Sequence, residues 1–285
     1  MSFLRESSES DLPSQAVDAT AVRRTVLGML HRARASHLGS NMSVVEMLIA
    51  MYGAVVCEDI RDHDRDRSRI VVSKGHCAAA TYATMAHYGI IPFDFLDTYH
   101  LDRSLLAGHV SHAVKGVEHS TGALGHGLSV AVGCALGLRS RGHGDRLVMA
   151  LVGDGEIQEG SVWEALMLAN HLKLGNLIVL VDNNRISSIT RTADVIDMQP
   201  LTARFEGFGL GVCQVDGHDA EAIAMAIKQL VAAGKPGVIV CDTIKGRDVP
   251  FAEWEPIWHY RSLSDELYAE ALAYLDTKYA SETKS

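Results

Sequence analysis

Two hydrophobic periods alternate along this chain. Over 16–35, 43–56, 75–88, 124–139, 220–233 and 264–278 the apolar residues recur every three or four positions, the spacing that lays one stripe along a helix. Between them stand short runs rich in valine, isoleucine and leucine at 69–72, 147–152, 177–181, 212–215 and 237–241, which read as strands. A further helical stretch separates the second and third of these runs. Strands that alternate with helices predict an α/β fold, a parallel sheet with helices on both faces. Ser264 can cap the last helix ahead of Leu267. Gly127, Gly133 and Gly137 predict that the helix at 124–139 is closely packed. The irregular stretches 59–67, 92–115, 187–200 and 245–263 are the expected functional loops.

Where the strands end, the sequence carries chemistry. Gly153-Asp154-Gly155 closes the 147–152 run, and Asn183-Asn184 closes the next. Either fragment alone is ordinary turn punctuation. Together they stand at the carboxyl ends of two strands joined through one helix, which is where a doubly wound sheet binds ligands. A hard cation such as Mg²⁺, or Ca²⁺ or Mn²⁺ in its place, takes oxygen ligands, so the Asp154 carboxylate, the Asn184 amide oxygen, a main-chain carbonyl and phosphate oxygens form a reasonable shell. Gly153 and Gly155 leave room for a phosphate to approach the backbone, and a helix following Gly155 would offer free N–H groups to an anion.

The chain has 14 histidines. His31, His63, His87, His143 and His171 read as surface or satisfied core residues. His37, His76 and His109 each sit in a turn bearing glycine or serine at an expected element end, where an imidazole can donate to a phosphate or exchange a proton with a sugar hydroxyl. A three-histidine metal site is the competing idea, but no spacing joins the three. The net charge of −9 implies no basic face, so neither nucleic acid nor an anionic membrane is an expected partner. A length of 285 residues, 47% hydrophobic and 21% charged, fits one large globular domain over 16–285, preceded by a flexible polar segment, 1–15. Five cysteines without Cys-x-x-Cys spacing, and no apolar run of signal or membrane-span length, suggest a cytoplasmic protein.

Several segments in order resemble one family. Ser36-His37-Leu38-Gly39-Ser40, the stretch VVSKGH ending at His76, Gly108-His109, GVEHSTGALGHGLSVAVG at 116–133, and the GDG…NN pair are similar to the N-terminal, diphosphate-binding domain of transketolases, above all to the split form in which this domain is a separate polypeptide. The resemblance implies a thiamine diphosphate-binding fold and transfer of a two-carbon ketol unit from a ketose to an aldose, free or phosphorylated. It gives His76 and His259 to the diphosphate, and His37 and His109 to the channel of the sugar hydroxyls, with catalysis resting on His37, His76 and His109. It gives Gly122 and Leu124 to the pyrimidine ring. Gly153, Asp154, Gly155 and Asn184 would hold the diphosphate and its cation, and Ile186 would add a main-chain ligand to the metal. Lys245 would border the entrance, and Glu159 and Glu164 would join an acidic cluster linking two cofactor sites. His126 and Tyr260 depart from the family, which commonly has Gln and Gly there. The carboxylic acid that activates the cofactor belongs to a second, pyrimidine-binding domain, so a C-terminal transketolase subunit is the implied partner, most simply as α₂β₂. An α-type subunit of a thiamine-dependent 2-oxo acid decarboxylase or dehydrogenase shares the strand-end signals, and a non-catalytic scaffold subunit is the alternative of another class.

Overall fold

The computed structural model describes residues 17–280, so the segment 1–15 lies outside the described residues. Five strands, β1 (Arg69–Val72), β2 (Val148–Gly153), β3 (Leu177–Asn183), β4 (Gly211–Asp216) and β5 (Gly237–Asp242), form one fully parallel sheet in the order β1-β2-β3-β5-β4. Every residue of β2 and β3 is buried, as expected of central strands covered on both faces. Side chains alternate between two cores. Met149, Leu151, Ile178 and Leu180 join one, while Ala150, Val152, Val179 and Val181 join the other.

The first core is covered by α1 (Ala19–Arg32), α3 (Val45–Gly53), α5 (Ala78–His87), α10 (Ala220–Ala233) and α11 (Asp265–Tyr279); the second by α6 (His126–Ser140), α7 (Gly160–His171) and α9 (Leu201–Gly207). Short helices α2 (Leu38–Met42), α4 (Cys57–Arg61) and α8 (Thr192–Val195) lie in connections. The helix expected at 43–56 is the shorter α3, and α2 precedes it as a separate turn of helix. Ser43 stands between the two, where its hydroxyl contacts Ser40 O and the buried Asp182 carboxylate at the end of β3. The helix expected from residue 75 opens as a 3₁₀ turn, Gly75–Cys77. No helix among the described residues is long and apolar enough to cross a membrane.

Close packing of α6 is confined to one of its three expected glycines. A Cβ on Gly127 would lie 2.7 Å from Ser73 Cα and nearer still to that side chain, so this helix approaches the end of β1 at a distance only glycine allows. Gly133 and Gly137 have no such neighbour within 4 Å and face outward. Gly127→Ala should therefore destabilise the purified chain by about 1–3 kcal/mol through overpacking. Gly133→Ala should leave it unchanged or raise stability by about 0.5–1 kcal/mol through helix propensity. Denaturant melts of the two variants check the contrast, and equal effects would refute it.

Candidate active site

Because all five strands run the same way, the loops leaving β1, β2, β3 and β5 meet at one edge and enclose a cleft of about 500 Å³. The three residues expected around a cation come together there. Asp154 follows β2 and Asn184 follows β3, whose ends are paired through Gly153 and Asp182. Asp154 Oδ1 accepts from Gly155 N at 2.8 Å, and its Oδ2 accepts from the main-chain N–H of Arg185. The Asn184 amide donates to Asp182 Oδ2 at 2.8 Å, and its oxygen accepts from Ile186 N at 3.1 Å. The Ile186 carbonyl takes a hydrogen bond from Lys245 Nζ at 3.0 Å. Burial, and then the neighbouring Asp182 charge, push the Asp154 carboxyl up to about 7 against the opposing Arg185 N–H and Lys74. Among the described residues no group of three or more His, Cys, Asp or Glu is arranged to hold a metal, which leaves the three-histidine site without support. A cation beside Asp154 would draw on amide, carbonyl and phosphate oxygens, the donor set a hard ion prefers.

Four imidazoles form the opposite wall. His37 caps α2 with φ 71°, His76 lies in the 3₁₀ turn after β1, His109 comes from the long loop before α6, and His259 ends a second 3₁₀ turn, Pro256–His259. The His37 ring centroid is 5.5 Å from those of His76 and His109 and 4.8 Å from that of His259. Asn41 ties this wall together. Its amide donates to His37 O at 2.8 Å and His76 O at 3.3 Å, and its oxygen accepts from Ala80 N. His259 Nδ1 is buried without a protein partner, the condition of a group that awaits a ligand. Burial and the like-charged neighbours around them lower all four rings. His37 falls to about 4 and His259 to about 3. These rings are neutral near pH 7.

The structure rearranges some expected parts. No α-helix follows Gly155 directly. A 3₁₀ turn (Glu156–Gln158) intervenes, α7 starts only at Gly160, and Gly155 N is held by the Asp154 carboxylate. Glu159 is the N-cap residue of α7; it is exposed, lies against Gly125 and does not line the cleft, and Glu164 is exposed on the same helix. The buried carboxylate of the site is Glu156, whose oxygens accept from Ser73 Oγ, Gly125 N at 2.8 Å and Gly153 N at 3.2 Å. Lys245 is in the floor, not at the entrance. It is 1% exposed, its stem fills the space beside Gly39, and its ammonium reaches Ile186 O and, at 2.7 Å, Ser187 O. Gly122 and Leu124 line the cleft, with Gly122 beside His109, while His126 opens α6 as an exposed residue. Ser40, Lys74 and Glu156 also line it and escape sequence reasoning, although Lys74 stands in the SKGH segment and Glu156 directly after GDG.

Depressed histidine pKa values carry a signed consequence. A ring that takes its proton at about 4 in the folded chain and at about 6.5 when unfolded binds fewer protons when folded, so its contribution to stability is present above pH 6.5 and is lost as pH falls towards 4. The unliganded protein should thus lose stability steeply between pH 6.5 and 4. The His37 ring resonance should show no titration between pH 5 and 8 by NMR, and an inflection near 6.5 would contradict the burial argument.

With this geometry in view, similarity to known proteins is informative. Residues 14–274 match the family described as transketolase, thiamine diphosphate binding domain. The chain is 39% identical over 246 residues to one of the subunits of the apulose-4-phosphate transketolase of Actinobacillus succinogenes, covering 85% of this chain and 89% of that protein. It is 33% identical over 265 residues to the 6-deoxy-6-sulfo-D-fructose transketolase subunit SqwG of a Clostridium species, covering 92% and 96%. Its fold superposes on the transketolase of Pichia stipitis solved with sedoheptulose-7-phosphate, with a TM-score of 0.83 and 28% identity, covering 92% of this chain and 40% of that one. The Campylobacter jejuni transketolase gives 0.81 and 27%, covering 90% and 42%. The chain thus spans about two-fifths of these solved enzymes but most of the separate subunits, and it belongs to the transketolase family, as its thiamine diphosphate binding domain.

Proposed function

We propose that this chain is the diphosphate-binding subunit of a split transketolase, which moves a two-carbon ketol unit from a ketose or its phosphate to an aldose in company with a pyrimidine-binding partner chain. The observation that carries the proposal is the convergence of Asp154, Asn184 and the Ile186 carbonyl with an imidazole and lysine wall in one cleft, in a chain of the same extent as relatives named as subunits. The donor set fits the cofactor. Asp154, Asn184 and Ile186 O suit Mg²⁺, Ca²⁺ or Mn²⁺, and His76, His259 and Lys245 would take the diphosphate oxygens, with Gly153 and Gly155 adding no side chain of their own to the space. Thiamine diphosphate, when bound, supplies the carbon nucleophile and electron sink for breaking and making the carbon–carbon bond. The neutral rings of His37 and His109 would exchange protons with the substrate's hydroxyl and carbonyl oxygens. Neutral imidazole suits that work, since it can accept a proton as well as donate one.

Two features support a partner. Ile189 at 73% and Tyr260 at 57% exposure line the cleft beside Leu124 and Val195, so its rim is apolar and uncovered. On α7, Met167 and Leu168 are exposed next to Glu164, a face suited to a second copy of this chain in an α₂β₂ assembly. The free thiols of Cys77, Cys134, Cys213 and Cys241 suit a reducing cytoplasm.

Asp154→Ala should abolish Mg²⁺-dependent thiamine diphosphate binding in the assembled enzyme while the far-UV spectrum is kept. His76→Ala should weaken the cofactor first, whereas His109→Ala should lower turnover with cofactor affinity nearly kept. Calorimetry beside steady-state kinetics checks all three, and unchanged cofactor affinity in folded Asp154→Ala would sink the assignment. The purified chain should bind thiamine diphosphate weakly and show no ketol transfer, and mixing with its cognate pyrimidine-binding chain should restore both. Robust transfer by this polypeptide alone would end the split-enzyme reading.

A further inference from the structure

We infer that Asp182, which lies beneath the cleft and does not line it, is the positioning residue that decides which way round the Asn184 amide stands, and so supplies the cation site with an oxygen rather than an N–H₂ group. The inference rests on the reading that Asp154 and Asn184 share a divalent cation.

A side-chain amide turned through 180° keeps its shape and exchanges an acceptor for two donors. At a cation site the exchange decides everything, since an N–H₂ group cannot ligate a hard ion. Two contacts select the orientation here. Asn184 Nδ2 donates to Asp182 Oδ2 at 2.8 Å, and Asn184 Oδ1 accepts from Ile186 N at 3.1 Å. The reverse orientation would set oxygen against a carboxylate and N–H₂ against N–H. Both contacts would be lost at once.

Asp182 can play this part because it is itself immobile. It is 0% exposed, and its carboxylate also accepts from the Lys74 ammonium, from Ser43 Oγ at 2.7 Å and from Thr243 Oγ1. These donors come from the loop after β1, from the α2–α3 junction and from the end of β5, so the carboxylate is held from three directions while the fourth donor is Asn184. Asp182 sits two residues before Asn184 at the end of β3, and its own side chain never reaches the cleft. Of the four groups it holds, Asn184 and Lys74 line the cleft, so once Lys74 is replaced its effect on a ligand would pass through Asn184. Outer-sphere partners of this kind govern affinity through the ligand they orient.

The test separates orientation from simple stability. Removing Asp182 alone strands a buried ammonium, so the comparison is made in a Lys74→Met background, where no unpaired charge remains. Asp182→Asn keeps an acceptor for Asn184 by turning its own amide nitrogen to the Thr243 hydroxyl; Asp182→Leu and Asp182→Ala keep none. With the full chain and its partner, thiamine diphosphate is titrated calorimetrically at saturating Mg²⁺, and melting of the unloaded protein is recorded alongside. K74M/D182N should bind at least about tenfold more tightly than K74M/D182L and K74M/D182A, the scale seen for outer-sphere partners. The gap should vanish when Asn184→Ala is added to each. Thr243→Val, which removes a donor to Asp182 without touching the Asn184 contact, should lower the melting temperature and leave affinity unchanged. Equal affinity across the three double variants, a gap that survives in the Asn184→Ala background, or a Thr243→Val loss as large as that of D182L would each overturn the inference. If instead the wild-type affinity is independent of Mg²⁺, the shared-cation reading itself has failed, a result distinct from any of these.

Discussion

An ion placed at the end of a sheet whose strands are apolar on both faces has no water to fall back on, so the protein must supply every partner. Desolvation costs several kcal/mol per ion, and breaking one half of such a pair costs roughly 3–5 kcal/mol. Lys74 and Asp182 meet this constraint across the ends of β1 and β3, with Thr243 from β5 and Ser43 from the α2–α3 junction completing the carboxylate's shell. The pair therefore cross-links the loops from which the cleft is built. A rigid floor under Asn184 follows from an electrostatic need that has nothing to do with any ligand, which is why the site can be organised before anything binds.

A second buried network does the same for the loop that carries Lys245. Arg23 is held by Glu46 through two hydrogen bonds, at 2.6 and 2.9 Å, and by Asp248 at 3.1 Å. His218 Nδ1 lies 3.3 Å from Glu46, and its Nε2 accepts from Ile244 N at 2.8 Å, which assigns the proton to Nδ1. Ile244 precedes Lys245. The loop that delivers this lysine is thus braced from both sides, through His218 before it and Asp248 after it, by one arginine in α1.

How much of this was legible in the sequence depended on the range of the contacts. The sheet was legible because valine-rich runs between amphipathic helices have few alternatives, and β2 and β3 are buried end to end as those runs imply. Asp154 and Asn184 were legible because strand ends are marked by glycine and asparagine. Other parts depend on pairings far apart in the chain, which no local pattern encodes. Asp182 reads as one more residue of a strand terminus, and its partner Lys74 is 108 positions away. The α2 helix, LGSNM, has too few apolar residues to announce itself, and its boundary is drawn by a bond from Ser43 to β3. By spacing alone Glu159 is the acidic member of the motif; the chain turns through Glu156–Gln158 first, and that turn buries Glu156 instead.

Charge in the cleft gives the cofactor reading its physical sense. The four imidazoles are neutral, so they offer hydrogen bonds but no compensation for a polyanion. The Lys74 charge is spent on Asp182, and Asp154 adds a carboxylate. Among the described residues that leaves Lys245, whose ammonium is held by the Ile186 and Ser187 carbonyls and whose pKa is brought down to about 8 by burial first and by Lys74 next. One poorly stabilised ammonium cannot balance a diphosphate in a buried site. A divalent cation beside Asp154 can, and it would lower the Asp154 carboxyl from its raised value at the same time. Anion and cation each remove the other's electrostatic penalty, so each should bind weakly alone and tightly together, and this follows from the neutral histidine wall as much as from the metal ligands themselves.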